Sequence, residues 1–193
     1  MARAAHRLIH RLRRFARAQR GATAIEFAII ATPFLMLMFG IIELGLVFMV
    51  SITLQNATDA AARKIRTGEF QTSAGNTKND FKTLVCGNMS WLSTACSSAV
   101  TVDVQTLASF TTLSTTGQTD PTTFNANTTC WSSGQPGDIV LVRTYYQWTI
   151  FTPLLNVALV NMGSGSGKRL ISAAASFRNE PWSTTAPTGA KCT

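Results

Sequence analysis

Arg20-Gly-Ala-Thr-Ala-Ile-Glu-Phe27 is the stretch from which the rest of the chain is read. Every charge before it is positive, and the sequence after it is apolar. Apart from Glu26, no charged residue falls between Ala22 and Ile42. On insertion scales a charged side chain costs roughly 2.5–3.5 kcal/mol at the centre of a membrane helix. A helix that serves only as an anchor has no use for that acid. Two readings of Glu26 stand: an incidental residue near the end of a signal anchor, or part of a processing signal in which the acid is required. The cost favours the second.

From Ala22 onward the pattern predicts one long helix, interrupted only by Pro33, Gly40 and Gly45. A helix rises about 1.5 Å per residue and a ~30 Å bilayer core takes roughly 20 residues. Ala22 to about Leu44 therefore suffices to cross, and the apolar run reaches Val50, which sets the transmembrane segment at 22–50. Glu26 then lies near one interface and Glu43 near the other, where its carboxylate can reach water. Pro33 removes one backbone hydrogen bond and loosens or kinks the helix in mid-membrane. An ordinary secretory signal fits poorly, since its apolar core spans only about 7–15 residues. Arg13-Arg14 invites a twin-arginine export reading, but Phe15-Ala16-Arg17 does not match that signal.

The segment Arg20-Gly-Ala-Thr-Ala-Ile-Glu-Phe-Ala-Ile-Ile-Ala-Thr-Pro33, with Gly40-Ile-Ile-Glu43-Leu-Gly45 after it, resembles the N-terminus of TadE-like proteins. These are minor pseudopilins of the tight adherence (Tad, Flp-type) pilus system. Arg178-Asn179-Glu180-Pro181-Trp182 resembles the closing motif of that family. The resemblance is dense over the first helix, brief at the tail and thin between. It implies a prepilin-type leader, residues 1–21, cut between Gly21 and Ala22 by a prepilin peptidase, with Glu26 as fifth mature residue. It also implies an inner-membrane protein with its N-terminus in the cytoplasm and its C-terminal domain in the periplasm. Its partners would be other pilins or pseudopilins and the pilus assembly machinery, at a tip or at initiation, with incorporation into the extracellular pilus as one fate. The runner-up is an uncleaved single-pass anchor carrying a periplasmic binding domain.

Charge agrees with this layout. The formal charge of +8 is lopsided, because seven of the 17 basic residues are leader arginines. Without them ten bases face nine acids, a net of +1. The basicity is therefore read as cytoplasmic retention under the positive-inside rule and not as nucleic-acid binding. Past Val50, the residues Leu54, Ala57, Ala61 and Ile65 continue one apolar stripe, while Gln55, Asp59, Arg63 and Arg66 take other faces. Residues 51–68 thus read as an amphipathic extension ending at Gly68, with a separate juxtamembrane helix after a break as the alternative.

Residues 69–193 read as an extracytoplasmic α+β domain with an antiparallel sheet. A short helix is expected between Phe81 and Leu92, strands over Ala99–Phe110, Asp138–Phe151 and Leu170–Phe177, and a short helix over Leu154–Val160. Thr111–Gly137 reads as a long loop pinned by Cys130. Four cysteines, Cys86, Cys96, Cys130 and Cys192, all follow the apolar helix, which suggests two disulfides. Of three pairings, Cys86–Cys96 with Cys130–Cys192 is favoured.

Catalytic and cofactor chemistry finds little support. Both histidines, His6 and His10, lie in the leader. Serine–histidine and cysteine–histidine nucleophiles and histidine metal sites are thereby removed from the exported part. Gly163-Ser-Gly-Ser-Gly-Lys168 is one residue short of a phosphate loop, and Arg169 stands where a magnesium-binding Ser or Thr is needed. Asp103, Asp120 and Asp138 are scattered, and the four tryptophans read as core or rim. No enzyme activity, cofactor or metal is expected.

Overall fold

A computed structural model describes residues 21–73, 75–114, 119–152, 155–163 and 165–182. Residues 1–20 and the final cysteine, Cys192, lie outside them. The first element, α1, is a single unbroken helix, Ala22–Arg66, with Pro33 inside it. No break separates its apolar and amphipathic parts. Proline at 33 leaves the carbonyl four residues earlier without its usual donor. One residue before it, the Thr32 hydroxyl donates to Ala28 O at 2.7 Å, a back-bond that also bends helices. The chain divides into two compact units, Met1–Ile42 and Glu43–Thr193.

In the second unit α1 lies along a three-stranded antiparallel sheet of β1 (Val100–Leu107), β2 (Ile139–Thr149) and β3 (Lys168–Arg178), in the order β1-β2-β3. The register pairs Thr144 with Val102 on one side and Ala173 on the other. Side chains alternate across a strand. Val140, Val142, Thr144, Tyr146 and Trp148 therefore share a face with Val100, Val102 and Val104, and with Ile171 and Ala173. All of these are buried, as are Val47, Val50, Leu54, Ala57, Ala61 and Ile65 of α1. The Thr58 and Thr144 hydroxyls bond to each other within this contact. The dimensions match: 22 steps of helix from Glu43 to Ile65 rise about 33 Å. Eleven strand residues span about 36 Å.

Three short helices precede or link the strands: α2 (Glu69–Thr72), α3 (Lys78–Gly87) and α4 (Ser93–Ala99). Thr77 and Asp80 form a reciprocal capping box that starts α3. The Thr77 side-chain and backbone bonds hold the Asp80 carboxyl below its usual pKa. Cys86 in α3 and Cys96 in α4 form a disulfide with Cα atoms 5.5 Å apart. Closing so short a loop contributes about 2–3 kcal/mol. The expected partner of Cys130, Cys192, lies outside the described residues.

The loop between β1 and β2 is long, as its composition predicts, and is pinned by more than Cys130. Val104 N donates to Cys130 O at 3.1 Å and Ser132 N to Val104 O at 2.9 Å, so Trp131 forms a parallel bridge to Val104. The loop thereby covers part of the exposed edge of β1, which protects that edge from pairing with another chain. A last short helix, α5 (Asn156–Leu159), sits between β2 and β3.

Candidate functional site: an exposed apolar helix and the clasps of its domain

Gly21 is exposed immediately before α1, and Ala22 is the first residue of the helix. Glu26 is exposed little more than a turn further on, among Ile25, Phe27, Ile29 and Ile30, which are all more than 60% exposed. Among the described residues Glu26 belongs to no ion pair. The exposed apolar surface continues through Phe34, Leu37, Phe39 and Ile41. This helix is long and apolar enough to cross a membrane by length and composition.

Glu43 departs from its sequence reading. It does not reach water but is 2% exposed. Its Oε1 accepts the Phe151 N–H at 2.8 Å and its Oε2 the Thr152 N–H at 2.7 Å. Both donors follow the end of β2, where the sheet no longer supplies a partner. A carboxylate satisfies two such donors at once, and charge-assisted bonds of this kind are the stronger class. Glu43 thus clasps one end of the sheet to α1.

The tail segment forms the clasp at the other end. Arg178 closes β3. Asn179 is 2% exposed. Its Nδ2 donates to Ser133 O at 3.0 Å and Gln135 O at 3.1 Å, and its backbone N to Asp138 O at 2.8 Å. The Glu180 N–H donates to Arg66 O at 2.9 Å, which satisfies a carbonyl at the open end of α1. The Glu180 carboxylate also meets Arg66 Nε at 3.3 Å, but both side chains are about half exposed and such pairs contribute little. Pro181 is exposed, and Trp182 lies against Gly68. Gly68 has φ +77°, and a Cβ there would collide with the indole ring. Any other residue at 68 is thus both strained and obstructed.

The outer sheet face carries a third constellation. Asp103 is 3% exposed although its place in the alternating strand predicts a solvent-facing polar residue. The loop after β1 covers it. Asp103 Oδ2 accepts from Arg143 Nε at 2.9 Å and Nη2 at 2.6 Å, and Oδ1 from the Cys130 N–H at 2.8 Å. Gln105 Nε2 adds bonds to both oxygens. Asp103 and Arg143 are direct cross-strand partners. Beside them Lys78 donates to Thr129 O at 3.0 Å, and burial lowers its pKa against the opposing pull of Asp103. The polar depression here, lined by Asp103, Asp120, Thr129, Arg143 and Tyr145, has its central groups committed to one another. Among the described residues no group of His, Cys, Asp and Glu is arranged to hold a metal ion.

The tryptophans are dispersed. Trp131 packs with Phe70 and Phe81, Trp148 is buried, Trp182 covers Gly68, and Trp91 is half exposed.

This architecture defines a class: one membrane-length helix whose C-terminal part is clasped at two ends to a small α+β domain. Within that class, residues 21–63 match the family model described as TadE-like protein, so the helix is similar over that stretch to those of TadE-like proteins. The match takes in Gly21, Glu26, Pro33 and Glu43 and ends within α1, before the sheet. Searches of curated proteins and of solved structures returned no match.

Proposed function

We propose that this protein is a minor pseudopilin-like structural component of a Tad pilus. It is inserted in the inner membrane with its arginine-rich leader in the cytoplasm and its domain in the periplasm. Prepilin peptidase cuts between Gly21 and Ala22, and the processed subunit joins or primes the pilus with other pilins. The observation that carries this reading is the TadE-like match, which begins at Gly21, the residue ahead of the cut, and runs through the apolar helix. The exposure of Gly21 and Glu26 supports it, because a protease needs the first and a neighbouring subunit the second.

The chemistry follows from one charge pair. Cleavage frees the amine of Ala22. Glu26 of an adjacent subunit neutralises it, and in low dielectric that attraction is far stronger than in water. Either charge buried alone is penalised, so the pair sets the register between helices. The exposed apolar side chains from Phe27 to Ile42 then supply apolar contact. The domain's buried polar groups hold structure and carry out no reaction, in keeping with a structural family.

Glu26→Gln keeps size and polarity but removes the charge. The variant is expected to insert and to be processed like the wild type, while surface pili counted by electron microscopy fall to a small fraction. Normal piliation from the variant would overturn the register role.

A further inference from the structure

The end of the domain at Glu43 is apolar and basic on its outside. The bonds from Phe151 N and Thr152 N to Glu43 fix the end of β2 at the level of that residue on α1. Three more bonds gather neighbouring segments to the same rim. Ile150 N donates to Gly167 O at 2.9 Å, Leu155 N to Thr152 O at 3.0 Å, and Arg169 Nη1 to Leu159 O at 2.8 Å. Phe151 is 67% and Val157 98% exposed, whereas Leu159, on the same short helix as Val157, is buried. Lys168 is exposed and Arg169 half-buried, and among the described residues neither forms an ion pair. The carboxylate at this end, Glu43, is buried and occupied by two amides.

We propose that this rim rests on the surface of the membrane that α1 enters. Phe151 and Val157 lie at the headgroup–acyl boundary, and Lys168 and Arg169 lie against lipid phosphates. The inference rests on reading α1 as a membrane span. Roughly 20 helical residues cross the hydrocarbon core, so a span beginning at Ala22 ends near Ile42, and Glu43 is the next residue of the same helix. Exposed apolar side chains flanked by basic ones that no carboxylate neutralises are what an anionic lipid surface binds. Contact at this level limits tilting of the domain over the membrane before assembly.

The test uses the full chain in phosphatidylethanolamine–phosphatidylglycerol vesicles containing lipids spin-labelled near the headgroup or along the acyl chain. A nitrobenzoxadiazole fluorophore is placed, in separate variants, at Val157→Cys, at Leu35→Cys inside the span and at Ala108→Cys beyond the far end of β1. Quenching at 157, by the shallow spin label, is expected to exceed that at 108 severalfold, with 35 quenched by the deep label. Adding Lys168→Glu, or raising the salt, is expected to reduce quenching at 157 and leave 35 unchanged. Quenching at 35 with 157 no more quenched than 108 would overturn the rim contact while the span stands. A label at 157 that is shielded from water yet unquenched by lipid would mean that protein covers the rim, and this also overturns the proposal. No quenching at 35 would overturn the span reading and the rim contact with it.

Discussion

Replacing Asp103 with Ala is expected to destabilise the domain by about 3–5 kcal/mol, the usual result of breaking a buried ion pair from one side. The reason lies in what remains. Arg143 keeps a positive charge that is 15% exposed, and the Cys130 N–H loses its acceptor. For 150–250 residues each kcal/mol shifts the melting temperature by roughly 2–4 °C, so the expected fall in detergent is about 6–20 °C. Removing both charges is expected to be milder, because well-packed apolar residues often replace a buried pair at little cost. Asp103→Leu combined with Arg143→Met should therefore melt above Asp103→Ala. A single variant melting with the wild type would contradict the structural role of this pair.

The second large effect is expected at Glu43. Glu43→Ala strands two backbone donors, each costing about 1–3 kcal/mol when left unsatisfied. The loss should be concentrated at the end of β2, since the contact is local. Amide exchange measured by mass spectrometry is expected to accelerate by more than tenfold at Phe151 and Thr152 and little at the centre of β2. Glu43→Gln retains one acceptor oxygen and should fall between. Unchanged exchange in Glu43→Ala would mean that the helix and the sheet end are held without this clasp.

Much of the fold is legible in the sequence because its signals are local. Val100, Val102 and Val104 alternate with polar residues and mark the first strand, whereas the helix expected from Phe81 begins three residues earlier, at Lys78, on the Thr77–Asp80 capping box. The stripe from Val50 to Ile65 marks the helix face that meets the sheet. That stripe is invisible before Val50, although burial continues back through Val47 to Glu43. The cause is uniform composition: where every neighbour is apolar, periodicity has no contrast. Glu43 reads from sequence as a water-interface residue, since nothing in the sequence announces the two amides at 151 and 152 that it accepts from. Asp103 is a similar case. Its strand position predicts solvent, and only the return of a loop more than twenty residues later buries it. The tail motif shows in the sequence as a resemblance alone. Its physical content, the closing of the end of α1 by Glu180 and of Gly68 by Trp182, depends on residues more than a hundred positions apart.

Gly21, Ala22 and Glu26 carry the functional proposal, and the chemistry assigned to them depends on an amine that exists only after the leader is removed. Intact-mass and N-terminal analysis of the protein extracted from membranes of piliated cells tests this most directly. A chain beginning at Ala22 is the expected result. A chain that still begins at Met1 or Ala2 while pili form normally would contradict the account and leave an uncleaved anchor in its place.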